Sequence, residues 1–364
     1  MKMKIAVVPG DGIGPEVTAQ AVRALQVVGD VCGHTFECRE YAIGGAGYLK
    51  AGNPLPDETL KACLEADAVL LGAVGGPQFE KLEPHLRPEA GLLRIRKELG
   101  CFANLRPAIA YPTLADCSPL KIEVIRGADI LVVRELLGGL YFAEPRGVEQ
   151  NSAYNTMRYS EAEIERIAHV AFKAAMKRRK KVTSVDKANV LETSRLWRQV
   201  VTRVAQEYPE ITLEHALVDS FAMQMITTPT RFDVVLTENL FGDILSDESA
   251  VIAGSLGLLA SASIGGKVDL YEPIHGSAPD IAGKGIANPI GAIASVAMFL
   301  RYTAELPQEA TAIEDAIRKT LEAGLRTKDL VRGGGRAVST EEMGNRILET
   351  LGDLLHSRMA YHAV

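Results

Sequence analysis

The alternation of short β-like runs with amphipathic segments, sustained along nearly the whole chain, limits the fold more than any other feature. Strand candidates lie at 4–8 (KIAVV), 67–73 (DAVLLGA), 128–133 (ADILVV), 182–186 (VTSVD), 211–218 (ITLEHALV), 233–237 (DVVLT) and 268–271 (VDLY). Helix candidates lie between and after them. The clearest covers 161–180: Ser160 and Glu163 have the spacing of a capping box, and Ile164, Ile167, Ala168, Ala171, Phe172 and Ala175 fall on one face. A second begins at Asn288-Pro289, an N-cap followed by proline at the first helical position. A third, over 340–355, follows the loop Gly333-Gly334-Gly335. Strands alternating with helices predict an α/β sheet covered on both faces.

A chain of 364 residues suits one large or two medium domains. Its core needs no disulfide or metal staple, because a chain of this size buries about three quarters of its unfolded surface. The five cysteines, at 32, 38, 63, 101 and 117, are odd in number and contain no Cys-x-x-Cys pair. They read as free thiols in a reducing compartment. A net charge of −6 argues against a protein whose main task is holding nucleic acid. The apolar run near the N-terminus is too short for a signal peptide, and no stretch reaches the ~18 apolar residues of a membrane span. A cytoplasmic location with no membrane partner is expected. The run Lys177-Arg178-Arg179-Lys180-Lys181 reads as the solvated end of the 161–180 helix, where cations complement the macrodipole.

Five segments carry residue types suited to chemistry. PGDGIGPEV at 9–17 passes from strand to helix as a phosphate loop does, yet Pro15 stands where the dinucleotide fingerprint requires glycine. A plain tight turn is the alternative. In NLFGDILSDE at 239–248, Asp243 and Asp247 are four residues apart, so a helix sets both carboxylates on one face. Like charges repel there unless a partner offsets them, and oxygen ligands suit Mg²⁺ or Mn²⁺ better than zinc. Asp219 is a third acid, following a β-like run. Arg96, Arg106 and Arg134 sit in apolar company and need anions, either internal carboxylates or those of a substrate. Lys187, at a strand end, suits a general base if desolvated, and Tyr141 suits a proton donor; a surface lysine and a core tyrosine are the plain readings. The loop EPIHGSAPDIAGKGIANP at 272–289 is rich in small residues that let a nucleotide approach closely, and its Asp280 suits a ribose hydroxyl.

Taken together, GDGIGPEV, NLRPA, RELLGGLYFAEPRG, DKANVL, NLFGDILSDE and HGSAPDIAGKGIANP, in this order, resemble the isocitrate/isopropylmalate family of decarboxylating dehydrogenases. The resemblance runs from about residue 4 to about 355, leaving the tail HSRMAYHAV outside it. It implies a two-domain α/β fold with a mixed sheet, not a Rossmann fold. One domain would be built from both chain ends, 1–101 plus 254–364, on the cofactor side. The other, 102–253, would carry dimerisation, substrate and metal. It further implies a homodimer whose active sites are shared, with Lys187 and Asp219 supplied by the neighbour. By the same resemblance Arg96, Arg106 and Arg134 would hold the substrate carboxylates, and Asp219, Asp243 and Asp247 the Mg²⁺ or Mn²⁺. Tyr141 and Lys187 would form the catalytic pair. Leu92, Leu93 and Val190 would line an apolar pocket for the substrate side chain. NAD would meet the stretch Gly76 to Glu89 and the loop carrying Glu272, His275, Gly276, Ser277, Ala278, Asp280 and Asn288.

The implied reaction is NAD-dependent oxidative decarboxylation of 3-isopropylmalate to 4-methyl-2-oxopentanoate, a step of leucine biosynthesis. Burial energetics favour that substrate over relatives with a third carboxylate. An unpaired carboxylate against Leu92 and Leu93 would cost several kcal/mol, whereas an isopropyl group gains about 1.5–3 kcal/mol. Two other classes are disfavoured. A non-catalytic subunit on this fold would be expected to lack a metal ligand or the base, and a metal-dependent hydrolase would leave the arginines and the nucleotide-like loop unexplained.

Overall fold

The computed structural model describes residues 1–332 and 335–362. Gly333 and Gly334, of the loop expected before the last helix, lie outside the described residues. Twelve strands occur among the described residues. They are β1 (Lys2–Gly10), β2 (Thr35–Glu40), β3 (Ala68–Ala73), β4 (Ala103–Ile109), β5 (Asp129–Glu135), β6 (Gly147–Glu149), β7 (Ser152–Tyr154), β8 (Lys181–Asp186), β9 (Thr212–Leu217), β10 (Val234–Thr237), β11 (Ala260–Ile264) and β12 (Asp269–Pro273).

The chain divides into two compact units, Met1–Gly100 with Gly254–Val364, and Cys101–Ala253. In the first unit the strands run in the order β2-β1-β3-β12-β11. β1 pairs in parallel with β2 and β3, and β3 in parallel with β12, while β11 and β12 are antiparallel. In the second unit the order is β4-β5-β10-β8-β9. There β4 and β5 are antiparallel and the remaining neighbours parallel. The strand set of each unit is therefore mixed, which separates this fold from the all-parallel nucleotide-binding sheet. The hairpin β6–β7 stands outside both sheets and is largely exposed.

Local sequence explains the supporting helices. The helix Glu161–Met176 starts with the expected reciprocal cap, Ser160 accepting from the Glu163 amide while Glu163 accepts from the Ser160 amide. Its six expected apolar residues are all buried. It stops at Met176 with Lys177 as its C-cap, so the basic run follows directly on the helix end. That run is structural. Arg178 donates to Asp233 at 2.8 Å and to Asp129 at 2.8 Å, and Arg179 reaches main-chain carbonyls of Thr230 and Asp129. The solvated-face reading is corrected for these two arginines: Asp233 is buried and ionised groups there need partners.

The helix Ile290–Tyr302 begins two residues after Asn288, whose side chain accepts from the Ile290 amide at 3.0 Å. The last helix runs Thr340–His362, longer than expected, and Ser339 and Glu342 exchange capping bonds before it. In the second unit the core gathers Ile130, Val132, Val185 and Val235 from β5, β8 and β10 with Phe221 and Phe232. Among the described residues no helix is long and apolar enough to cross a membrane.

Candidate active site

The chemistry-bearing residues of the second unit collect where β4 and β5 meet the helix Asn239–Glu248. That helix is fixed at its start by Glu238, whose carboxylate accepts from the Leu240 and Phe241 amides at 3.1 and 2.7 Å. An acid suits this position because it meets unpaired amides and the positive end of the helix dipole. Asp243 and Asp247 then fall one turn apart, as the spacing predicts.

Arg134 ends β5 and is 1% exposed. Its Nε and Nη2 donate to Asn239 Oδ1 at 3.1 and 2.6 Å, and its Nη1 donates to Asp243. Asn239 is held in turn by donating to the Leu136 and Gly138 carbonyls, each at 3.0 Å. Gly242 has to lack a side chain, since a Cβ there would lie 2.7 Å from Arg134 Cγ. Arg106 donates through Nε to Asn104 at 2.7 Å, and through Nη1 to Ser246 at 2.7 Å and Asp247 at 3.3 Å. It lies 3.7 Å from Asp243. The repulsion expected between the two aspartates is thus offset by two buried guanidinium groups.

The Tyr141 hydroxyl donates to Asp243 Oδ2 at 2.6 Å, and the Arg134 guanidinium lies 5.6 Å from its ring centroid. Burial, then the neighbouring Asp243, pushes the phenol up to about 12, so it holds its proton through the neutral range. Burial also raises the carboxyl of Asp247, with Arg106 opposing. Lys187, just past β8, donates to Asp219 Oδ1 at 2.7 Å. The bond from Lys187 holds the Asp219 carboxyl below the usual carboxylate range.

The structure thus brings Arg106, Arg134, Tyr141, Asp243 and Asp247 together, and pairs Lys187 with Asp219 separately. Among the described residues no three His, Cys, Asp or Glu side chains converge as a metal-binding group. Val190 is exposed. Sequence reading missed Asn104, Asn239 and Ser246, the side chains that aim the two arginines. The available signal was a polar residue inside each otherwise apolar, buried segment.

In the first unit Arg96 is buried on the helix Pro88–Leu99 and pairs with Glu272 Oε1 at 2.5 Å. The internal ion pair left open by sequence is present. Leu92 and Leu93 are half-buried on the same helix, and Glu89 lies in its first turn, 3.1 Å from where a side chain on Gly75 would start. Gly76 precedes the turn Pro77–Phe79. His275 is buried, which lowers its imidazole below its ordinary value. Its Nδ1 lies 2.9 Å from the Gly276 carbonyl, and its Nε2 has no hydrogen-bond partner. Gly276 is exposed with open space where a side chain would stand, Ala278 has φ +40°, and Asp280 is exposed. Asn288 also donates to Asp329 at 3.0 Å.

Both implied ligands fit these donors. Asp243 and Asp247 offer hard oxygens one turn apart, the chemistry Mg²⁺ and Mn²⁺ take. The unpaired His275 Nε2 beside small, open residues suits a nucleotide's polar atoms, since a buried ring nitrogen without a partner is costly.

The same mixed-sheet α/β fold recurs in solved dehydrogenases, and that is the class the fold defines. An isocitrate dehydrogenase from Methylococcus capsulatus matches with TM-score 0.86 at 36% identity, covering 96% of this chain and 99% of that one. A beta-decarboxylating dehydrogenase from Thermococcus kodakarensis matches with TM-score 0.80 at 38% identity, covering 97% of each. The family model described as isocitrate/isopropylmalate dehydrogenase matches residues 4–347, and the chain belongs to that family. Among its relatives, a 3-isopropylmalate dehydrogenase of Wolinella succinogenes is 57% identical, covering 95% of this chain and 97% of the relative. One of Aquifex aeolicus is 56% identical, covering 96% and 97%.

Proposed function

We propose that this chain catalyses the NAD-dependent oxidative decarboxylation of 3-isopropylmalate to 4-methyl-2-oxopentanoate, in leucine biosynthesis. One observation carries the reading: Arg106 and Arg134 are buried, aimed by neutral amides, and converge on Asp243, with Arg106 also reaching Asp247. Such guanidinium groups match carboxylates bidentately. The names of relatives sharing more than half of the sequence support the same substrate.

When bound, a divalent ion and NAD supply a Lewis acid and a two-electron acceptor. Arg106 and Arg134, with Arg96, hold the substrate carboxylates. Asp243 and Asp247, with Asp219 of a second copy, hold the ion. Lys187, also from that copy, accepts the hydroxyl proton. The hydroxyl carbon is oxidised, CO₂ leaves from the neighbouring carbon, and Tyr141 returns a proton to that carbon. The raised phenol suits a group that must stay protonated until that step. Leu92, Leu93 and Val190 take the isopropyl group. The cofactor lies along Gly76 to Glu89 and the loop 272–288, with Asp280 on the ribose.

A homodimer with shared sites accounts for the separation of Lys187 and Asp219 from the arginine cluster. The exposed Met223 and Ile244, on the helices Val218–Thr227 and Asn239–Glu248, support a partner surface there. Five free cysteines suit the cytoplasm. The test follows NADH absorbance with Mn²⁺ and compares kcat/KM for 3-isopropylmalate and D-malate. A preference of at least a hundredfold is expected; a ratio near one overturns the substrate assignment.

A further inference from the structure

The segment PGDGIGPEV takes no part in the chemistry proposed above, yet its geometry reaches both stretches assigned to the cofactor. We infer that the turn at residues 10–14, through Asp11 and Gly12, is the joint that positions the two NAD-contacting segments, a role that rests on the cofactor reading. It is a positioning element and not a phosphate cradle.

Asp11 is buried between β1 and the helix Gly14–Cys32. Its Oδ2 accepts from the amides of Gly45 at 2.7 Å and Gly75 at 2.8 Å, and its Oδ1 from the amide of Ala46 at 2.8 Å. A carboxylate is suited to three donors because it is acceptor-only. Gly75 directly precedes Gly76, where the first cofactor stretch begins, so Asp11 fixes the root of that stretch. The Asp11 amide also donates to the Ala73 carbonyl at 2.7 Å.

The other side of the turn holds the second stretch. The Ile13 amide donates to the Ser277 carbonyl at 2.8 Å. Gly12 has φ +58°, and a Cβ there would stand 1.9 Å from that same carbonyl oxygen. Only glycine allows both the left-handed backbone and this approach. One turn later Glu16 is half-buried, and burial raises its carboxyl above its ordinary value, with the Gly285 and Gly283 amides opposing. The loop is thus seated at Ser277 by the start of a single helix, beside the unpaired His275 Nε2. Gly10 completes the joint: with φ +74°, its missing side chain makes room for the Ala73 carbonyl.

The experiment measures binding of NADH by fluorescence titration, and separately binding of 3-isopropylmalate with Mg²⁺ by calorimetry, for the parent, D11N, G12A and E16A. D11N replaces one acceptor with a donor facing an amide, and G12A must push Ser277 away. Each is expected to weaken NADH at least tenfold while leaving the dicarboxylate within twofold. E16A is outside the buried turn and keeps the test readable should the other two fail to fold; it is expected to weaken NADH three- to tenfold. Unchanged NADH affinity, or parallel loss of both ligands, overturns the inference. A parent chain that binds no NADH overturns the cofactor reading instead.

Discussion

Arg134 and Lys187 both end a strand of the same sheet and both pair with an aspartate, but their surroundings are opposite. Arg134 is 1% exposed and braced by Asn239, which is itself bonded twice to the main chain. The Lys187 and Asp219 side chains are 27% and 64% exposed and hold each other by one contact. The first is a fixed, buried cation, costly to disturb because burial leaves any orphaned charge unsolvated. The second is an exposed, solvent-screened pair that contributes little to stability and can exchange partners freely. Binding groups gain from rigidity, whereas a proton acceptor gains from an alternative partner for each charge state.

Breaking the rigid member gives the largest expected effect. Arg134→Ala should lower kcat/KM by at least 10³ and stability by about 3–5 kcal/mol, the usual consequence of removing one partner of a buried pair. Steady-state kinetics with urea unfolding checks both. Lys187→Met sharpens the contrast. Turnover should fall at least a hundredfold, while stability changes by less than about 1 kcal/mol and NADH affinity stays within twofold. Activity within tenfold of the parent would remove Lys187 as the base.

Asn239→Ala tests whether the bracing is what makes Arg134 a receptor. It should raise KM for the dicarboxylate about tenfold, the equivalent of 1.4 kcal/mol, and cost about 1–3 kcal/mol of stability from unpaired buried donors. An unchanged KM with lost stability would mean that Arg134 is aimed by Asp243 alone. The smallest effect is expected at exposed Asp280. Asp280→Lys should narrow the preference for NAD over NADP by about tenfold, since a cation there no longer repels a 2′-phosphate; an unchanged ratio removes Asp280 as the discriminator.

These contrasts were partly legible in the chain itself. The helix at 161 was readable because its cap and apolar spacing are local signals, and the paired aspartates at 243 and 247 fell one turn apart as their spacing requires in a helix. The bracing was not readable, because Asn239 meets Arg134 across 105 residues and Arg96 meets Glu272 across 176. Four kinds of strand escaped. β2 is a half-exposed, polar edge, and β4 carries Arg106 and Pro107 within a buried run. β11 is built of small residues, and β6 and β7 are exposed on both faces. Each breaks the alternation or the apolar run by which a strand is recognised. The lysine-arginine run at 177–181 misled for a related reason: the acids that claim it, Asp129 and Asp233, are distant in sequence.

The order β2-β1-β3-β12-β11 also sets a schedule for synthesis. During translation β3 emerges at residues 68–73, but its neighbour β12 follows only at 269–273. At ribosomal speeds of about 5–20 residues per second, that strand waits roughly 10–40 s with one side unmatched. The unit 101–253 is contiguous and emerges entirely within that interval. A nascent chain therefore carries an unmatched β3 edge while the middle unit is made, and an open strand edge is the kind of target that holding chaperones cover.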